Sequence, residues 1–351
     1  MNLIDNLLYQ EDIRRVAALS LPWEKLKNSS VLISGATGLI GSFLIDVIMY
    51  LNQTQEIKCR VYALGRSEEK AKARFGYCYD TEWFLFIPYD INLPFVRDDI
   101  GTIDYVLHLA SNTHPVAYAT DPIGTITTNI IGTQNMLDFA YAHHAKRCAF
   151  ASSNEVYGEN RGDVEKFDER YCGYIDCNTM RAGYPESKRC GEALCQAYIK
   201  QRGMDIVIPR LTRSYGPTML MSDTKAISQF IRKAIAGEDI VLKSEGTQYY
   251  SYTYMADAVS GLLYVLLLGG NGEAYNIADD ASDVMLKDLA GTIAGTVGRK
   301  VVFEIPDAVE SAGYSKATKA RLESKKLQAL GWKAQYNIKE GISRTIEILR
   351  S

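Results

Sequence analysis

Residues Ser30 to Ser42 read SVLISGATGLIGS, a short β-branched run that ends in glycine and leads straight into a stretch with helical periodicity. Gly35, Gly38 and Gly41 stand three apart in a GxxGxxG spacing. Glycine allows a tight turn between strand and helix, and lets backbone N–H groups approach a pyrophosphate, which the positive end of a helix favours. In this strand–turn–helix setting the pattern points to a dinucleotide site, with Thr37, Leu39 and Ile40 completing its phosphate-facing turn.

Outward from that turn, buried strands and amphipathic helices alternate. The strand-like runs are Cys59–Gly65, Glu82–Asp90, Ile103–Ser111, Arg147–Ser153 and Met204–Leu211. Between them lie helical patterns over Gly41–Asn52, Asp121–His144 and the segment opened by YPESK at Tyr184. Such alternation implies parallel β-α-β units, hence an α/β fold with a Rossmann-type doubly wound parallel sheet. After Leu211 the alternation loosens into short strands around a few helices. The expected organisation is an N-terminal helical extension (1–29) and a dinucleotide-binding part (30–211, with 224–265 returning to it). A smaller C-terminal α/β substrate-binding part (212–223 and 266–351) would close over the carboxyl edge of the sheet.

Composition narrows the partners. Across 351 residues the formal charge is -3 and no Lys/Arg block stands out, which argues against nucleic acid or an anionic membrane. No apolar run reaches the ~18 residues of a membrane span. The N-terminus, with acidic residues inside its apolar periodicity, lacks a secretory layout and reads as a packed amphipathic helix. The seven cysteines include no CxxC pair, so no disulfide framework is indicated and the cytoplasm is the expected compartment. His108 and His114 flank the expected nicotinamide region, His143 and His144 end a helix, and no cluster has metal-ligand spacing, so no metal is expected.

The chemistry gathers at a second stretch, RAGYPESKRCGE from Arg181 to Glu192. Pro185 suits a first helical turn, and sets Tyr184 at a helix mouth with Lys188 one turn further along the same face. Some thirty residues earlier, Ser152 and Ser153 end a strand at the sheet's carboxyl edge. A hydroxyl there can share a substrate oxygen with the Tyr184 phenol, while Lys188 lowers the phenol's pKa and binds the nicotinamide ribose. Ser152 reads equally as a turn or capping hydroxyl. The strand Cys59–Gly65 is followed by Arg66, with no acid before Glu68, where a carboxylate would hold the ribose of NAD. Arg66 therefore favours NADP(H), the alternative being a solvated Arg beside NAD. Asp90 and Ile91 are placed at the adenine, or Asp90 forms a turn.

Taken together these residues resemble the extended short-chain dehydrogenases/reductases, the NAD-dependent epimerase/dehydratase family of nucleotide-sugar enzymes. Gly35, Gly38, Gly41, Ser153, Tyr184 and Lys188 match its cofactor turn and catalytic triad. His108–Ser111 (HLAS) matches its strand-four motif, which implies cofactor contacts at Leu109, Ala110 and Ser111. Asn129 in NIIGTQNML matches its structural Asn, RLTRSYGP its loop after strand six, and Leu330–Trp332 its C-terminal signature. The segment HLASNTHPVAYATDPIGTITTNIIGT and the run SNEVYG are similar to those of UDP-glucuronate decarboxylases; SNEVYG also resembles the TDEVYG of dTDP-glucose 4,6-dehydratases. That likeness implies Glu155 as an acid/base or substrate-orienting group, and Asn154 and Arg181 near the substrate.

Two positions depart from the decarboxylase pattern. Arg213 stands where those enzymes carry an Asn that contacts the substrate diphosphate, and Tyr250 where they carry an Arg; Lys319 or Arg321 aligns loosely with a further Arg. The phosphate cradle is thus rebuilt around Arg213, which can make a bidentate contact. The reading is an enzyme that oxidises a hydroxyl of a nucleotide-activated sugar or polyol to a keto intermediate, with Tyr184 as base, NAD or NADP as cofactor, and epimerisation, dehydration or decarboxylation to follow. An NADPH-dependent reductase of a nucleotide-linked keto sugar or ketose is the alternative, and a non-catalytic nucleotide-binding protein the third. The resemblance implies a homodimer through a four-helix bundle, with Ile126, Ile130, Leu137, Ala193 and Ala197 as the apolar positions, though a core-facing stripe would look alike.

Overall fold

The computed structural model describes residues 2–113, 115–304 and 318–351; His114 lies outside them. The chain opens with α1 (Leu7–Ala17), whose N-cap Asn6 accepts from the amides of Leu8 and Tyr9. Tyr9, Asp12, Ile13, Val16 and Ala17 are buried along one face of that helix, at the spacing of an amphipathic stripe.

The first half of the chain then runs β1 (Ser30–Ser34), α2 (Leu39–Gln55), β2 (Arg60–Gly65), α3 (Glu68–Phe75), β3 (Phe84–Pro88), β4 (Tyr105–His108), α4 (Pro115–Thr120), α5 (Pro122–Ala142), β5 (Arg147–Phe150) and β6 (Ser152–Ser153). It continues through α6 (Gly183–Arg202), β7 (Ile206–Leu211), β8 (Arg213–Tyr215), α7 (Ala226–Ile235), β9 (Ile240–Leu242), β10 (Tyr249–Tyr254) and α8 (Met255–Leu268). The remaining elements are β11 (Ala274–Ile277), β12 (Asp283–Met285), α9 (Leu286–Thr296), β13 (Val301–Phe303), β14 (Lys319–Ala320), α10 (Lys325–Gln328) and α11 (Ile338–Arg350).

The large sheet has the order β3-β2-β1-β4-β5-β7-β11, with β6 beside β7, and its paired strands are parallel. Helices cover both faces, so the central strands are buried on both sides; β1 buries Val31, Leu32, Ile33 and Ser34. Strand order reverses at β1, between β2 on one side and β4 on the other. In open α/β sheets a crevice forms there, outside the carboxyl ends of the strands. Gly35 and Leu109, the residues that follow β1 and β4, lie at that switch point.

One strand departs from the expected partition. Ala274–Ile277 was expected in the C-terminal part, but pairs with β7 as the edge of the large sheet. Four residues, the last three buried, carry no local information about which sheet they join. Helix α8 is buried from Met255 to Leu267 and packs against α1, α2 and β7. β9 pairs with β13 instead, and a further small sheet runs β12-β10-β14, with β8 beside β10. Strand β10 thus lies where the substrate-side elements meet the carboxyl edge of the large sheet.

Candidate active site

The glycine turn is built for close approach. Gly35 has φ +71°, and a Cβ placed on it would sit 2.8 Å from the Ala110 amide nitrogen. A Cβ on Gly41 would lie 2.5 Å from the Gly35 carbonyl oxygen, so the helix can press against the turn only without a side chain there. Behind it the Ser34 hydroxyl accepts from the Leu109 and Ala110 amides at 3.2 and 3.3 Å, and so ties the end of β4 to β1. The N-cap of α2 is Gly38, and no side chain caps that helix. The first-turn amides around Leu39, Ile40 and Gly41 are therefore left to a ligand, at the positive end of a 17-residue helix. A turn that excludes side chains, beside an uncapped helix mouth, fits a dinucleotide diphosphate.

Beyond that turn β2 ends at Gly65, and Arg66 is exposed. Ser67 caps α3 by accepting from the Lys70 amide at 3.2 Å, so no carboxylate stands at the tip of β2. Asp90 is exposed and curls into a turn, its Oδ1 accepting from both the amide and the side chain of Asn92 at 3.0 Å. Ile91 is buried against α5, where the Asn135 side chain donates to its carbonyl at 2.7 Å. Thr37 lies half-buried in the glycine turn.

Pro185 stands in the first turn of α6, as its lack of an N–H allows, and the helix carries Tyr184 and Lys188 inward. Tyr184 is 6% exposed and Lys188 2%. Burial pushes the Tyr184 phenol up to about 12, and the Glu155 charge adds to that; hydrogen bonds with Ser153 and Ser111 and the Arg181 charge pull it down. The Lys188 ammonium donates to the Ala151 carbonyl at 2.8 Å, just past β5, and lies 6.0 Å from the Tyr184 ring centroid. Its own pKa is lowered to about 7 by burial, against the opposing charge of Glu192. The expectation that Lys188 acidifies the phenol therefore meets a physical obstacle. Burial lowers the pKa of Lys188 itself, and the groups that pull the phenol down are the hydroxyls of Ser153 and Ser111 and the Arg181 charge.

Asn129 is wholly buried in α5 and joins three elements. Its Oδ1 accepts from Ser111 at 2.8 Å, and its Nδ2 donates to Ser187 at 2.9 Å. Ser187 in turn donates to the Tyr184 carbonyl at 2.8 Å, so the end of β4 is indexed to the first turn of α6. Ser152, the other candidate hydroxyl, points elsewhere: it donates to Glu192 at 2.5 Å, inside a network in which Glu192 holds Arg210 at 2.6 Å. Of the pair, Ser153 alone is among the groups that act on the pKa of the Tyr184 phenol.

On the substrate side Ser153 caps a short 3-10 turn, Asn154–Tyr157, accepting from the Glu155 amide at 3.2 Å. Asn154 is buried in that turn. Glu155 and Arg181 form an ion pair at 2.8 Å, both partly exposed. The Arg181 guanidinium lies 4.9 Å above the Tyr118 ring, which stacks on the Tyr184 ring at 4.9 Å and 27°. One strand over, Arg213 lies 3.6 Å above the Tyr250 ring. The register Ser153–Leu211 puts Arg213 two residues beyond the strand partner of Ser153. Among the described residues, Arg181 and Arg213 each leave Nη1 buried without a hydrogen-bond partner. Of the loosely aligned pair, Lys319 is exposed on β14, and Arg321 lies over Tyr249 and pairs with Glu165 at 3.0 Å.

Residues 31–278 match the NAD dependent epimerase/dehydratase family. The chain belongs to that family. It is 32% identical over 315 residues to UDP-glucuronic acid decarboxylase 3 of Arabidopsis thaliana, covering 90% of this chain and 87% of that protein. It is 32% identical over 323 residues to UDP-glucuronic acid decarboxylase 1 of Xenopus tropicalis, covering 91% of this chain and 72% of that one. The fold matches DesIV, a dTDP-glucose 4,6-dehydratase from Streptomyces venezuelae with NAD and TYD bound, at TM-score 0.78 and 22% identity, over 92% of this chain and 97% of that one. It also matches the UDP-glucuronic acid 4-epimerase of Bacillus cereus in complex with UDP-glucuronic acid and NAD, at TM-score 0.75 and 21% identity, over 91% and 98% of the two chains.

For a member of this family, one residue at the centre of the site was not singled out from the sequence. Tyr118 lies inside the HLASNTHPVAYATDPIGT segment that carries the resemblance, but neither periodicity nor spacing gives it a role. Burial raises its phenol well above the usual range, with the Tyr184 and Glu155 charges adding to the effect. His108, expected to flank the nicotinamide, is turned inward: its Nδ1 meets Ser34 at 2.8 Å, and burial lowers its pKa to about 3. Among the described residues no group of His, Cys, Asp and Glu is placed to hold a metal ion, and no helix is long and apolar enough to cross a membrane.

Proposed function

We propose that this chain is a nucleotide-sugar enzyme that oxidises a sugar hydroxyl through Tyr184 and rearranges the resulting ketone with the help of Glu155. The observation that carries the reading is the Tyr184 phenol, buried at the mouth of α6, where the hydroxyls of Ser153 and Ser111 lower its pKa against the effect of burial. A bound nicotinamide supplies the hydride acceptor. Tyr184, as phenolate, takes the proton of the substrate hydroxyl, and Ser153 holds that oxygen while it becomes a carbonyl. Asn129 keeps Ser111 and the first turn of α6 in register. Lys188, with three N–H donors and one given to Ala151, has donors left for a ribose hydroxyl.

The ketone acidifies the adjacent C–H or loosens an adjacent carboxylate. Glu155, held by Arg181, is the carboxylate nearest that chemistry, and Asn154 shares its turn. Arg213, laid flat on Tyr250, supplies the guanidinium for the substrate diphosphate. The decarboxylase names of the relatives favour a UDP-linked hexuronate as the first substrate to try. Mixing the chain with UDP-, dTDP-, GDP- and CDP-linked sugars and each nicotinamide, while following cofactor absorbance and product mass, tests the proposal. Product without net change in cofactor absorbance supports it; no turnover of any nucleotide sugar overturns it.

A second reading rests on Arg66. With no carboxylate at the tip of β2, the adenosine end admits a 2′-phosphate, which suits an NADPH-dependent reductase of a nucleotide-linked keto sugar. Stoichiometric NADPH oxidation, lost in Arg66→Glu, would favour it. We also assign a homodimer through α5 and α6. Ile123, Ile126 and Ile131 are exposed along α5, whereas Leu137, expected at that interface, is buried in the core. A sedimentation mass of one chain would refute the dimer. The seven cysteines, all unpaired, fit the reducing cytoplasm in which we place the protein.

A further inference from the structure

The family match begins at residue 31, so α1 stands ahead of it. This helix nevertheless reaches both halves of the site. Two polar residues on its buried face, Tyr9 and Asp12, are one turn apart and bind different partners. The Tyr9 hydroxyl donates to Asp46 of α2 and accepts from Arg74 of α3 at 2.7 Å; Asp46 also accepts from Tyr77 at 2.7 Å and pairs with Arg74. Asp12, 0% exposed, accepts from the Tyr254 hydroxyl at 2.5 Å, the Tyr336 hydroxyl at 2.7 Å and Arg344 Nε at 2.9 Å. Arg344 of α11 is itself fastened to the Leu8 carbonyl at 2.8 Å.

The two anchor points are functional elements. α2 is the helix whose uncapped mouth faces the cofactor phosphates. Tyr254 is the last residue of β10, the strand that carries Tyr250 beneath Arg213, and β10 holds β8 by the pairs Tyr252–Arg213, Thr253–Ser214 and Tyr254–Tyr215. Packing alone would be served as well or better by apolar side chains, because a buried carboxylate carries a large desolvation cost. What hydrogen bonds from three partner residues on each carboxylate add is a fixed geometry.

We propose that α1 is a brace that sets the β8–β10 strands against the cofactor helix α2, with Asp12 as a positioning residue for Arg213 acting through Tyr254. The substrate role of Arg213 rests on the function proposed above; the brace itself does not.

The test compares the full-length Asp12→Ala and Asp12→Asn variants with Val16→Ala, which thins the packing of the same helix without touching the brace. Hydrogen exchange is read across 213–215 and 249–254, and across 31–34 and 105–108 as a reference. Loss of hydrogen bonds to a charged acceptor should speed exchange in the first pair of segments roughly tenfold or more in Asp12→Ala and leave the reference unchanged. Asp12→Asn, which keeps one acceptor oxygen, should fall between. Using UDP and NAD as probes, Asp12→Ala should weaken UDP several-fold and leave NAD unmoved. Exchange that speeds equally in all four segments, as in Val16→Ala, or that stays unchanged at 249–254, overturns the brace. A wild-type chain that ignores UDP refutes the uridine reading, while hydrogen exchange still decides on the brace.

Discussion

Replacing Lys188 with Met removes a charge from the most enclosed part of the site, and the structure says how stability should respond. Lys188 is 2% exposed, and burial lowers its pKa from 10.5 to about 7. Between those values the unfolded chain holds a proton that the folded chain has released, so wild-type stability rises with pH across the window. The slope approaches about 1.4 kcal/mol per pH unit, and the whole window is worth on the order of 5 kcal/mol. Methionine has no titrating group and leaves the Ala151 carbonyl without its donor, a loss of about 1–3 kcal/mol. Lys188→Met should therefore lie close to wild type near pH 7, where relief of the buried charge offsets the lost hydrogen bond. It should fall behind by about 2–3 kcal/mol more at pH 9. Urea unfolding of both proteins at pH 6, 7, 8 and 9 measures this, and subtracting the two curves cancels every other titrating group. A difference that does not change with pH would show that Lys188 keeps its ordinary pKa, and the account of its depleted charge would be wrong.

Three further outcomes follow from the same geometry. Gly35→Ala forces a side chain into a left-handed backbone position and against the Ala110 amide nitrogen at 2.8 Å, which should cost about 2–4 kcal/mol in thermal unfolding and abolish NAD binding by fluorescence titration. Asp257 is buried and its carboxyl is raised to about 7, so the folded chain holds a proton that the unfolded chain loses above about pH 4; stability relative to Asp257→Asn should fall as pH rises from 4 to 7, and a rise would contradict the burial argument. In Glu155→Gln the negative charge that helps to raise the Tyr184 phenol is gone, so the rising limb of the oxidation rate against pH should move to lower pH while the later rearrangement slows at least tenfold, as pre-steady-state absorbance and product mass would show.

Much of this arrangement was legible before any coordinates, because the signals are local. The Gly35–Gly41 spacing, the strand–helix period and the Tyr184–Pro185–Lys188 order each specify geometry over a few residues. The members of the site that were missed depend on distant partners. Tyr118 matters because it stacks between Arg181 and Tyr184, and nothing in its own neighbourhood announces that. Two alternatives left open in the sequence are the ones the structure takes: Asp90 forms a local turn with Asn92, and Leu137 belongs to a core-facing stripe, as α5 packs on α6 and the sheet. β11 joins the large sheet because β7 offers a free edge, a fact of assembly that four residues cannot encode. The charge state of Lys188 is not legible in its own neighbourhood either, since burial is a property of the whole fold.

The central claim is that Tyr184 moves the proton of the substrate hydroxyl, and Tyr184→Phe tests it most directly. The variant keeps the buried ring and its stacking on Tyr118 and removes only the hydroxyl. On the nucleotide sugar found in the panel, with NAD binding and thermal unfolding shown to match wild type, single-turnover absorbance at the nicotinamide band should fall by about 10²–10⁴. A rate within twofold of wild type would place the proton transfer on another group and contradict the mechanism.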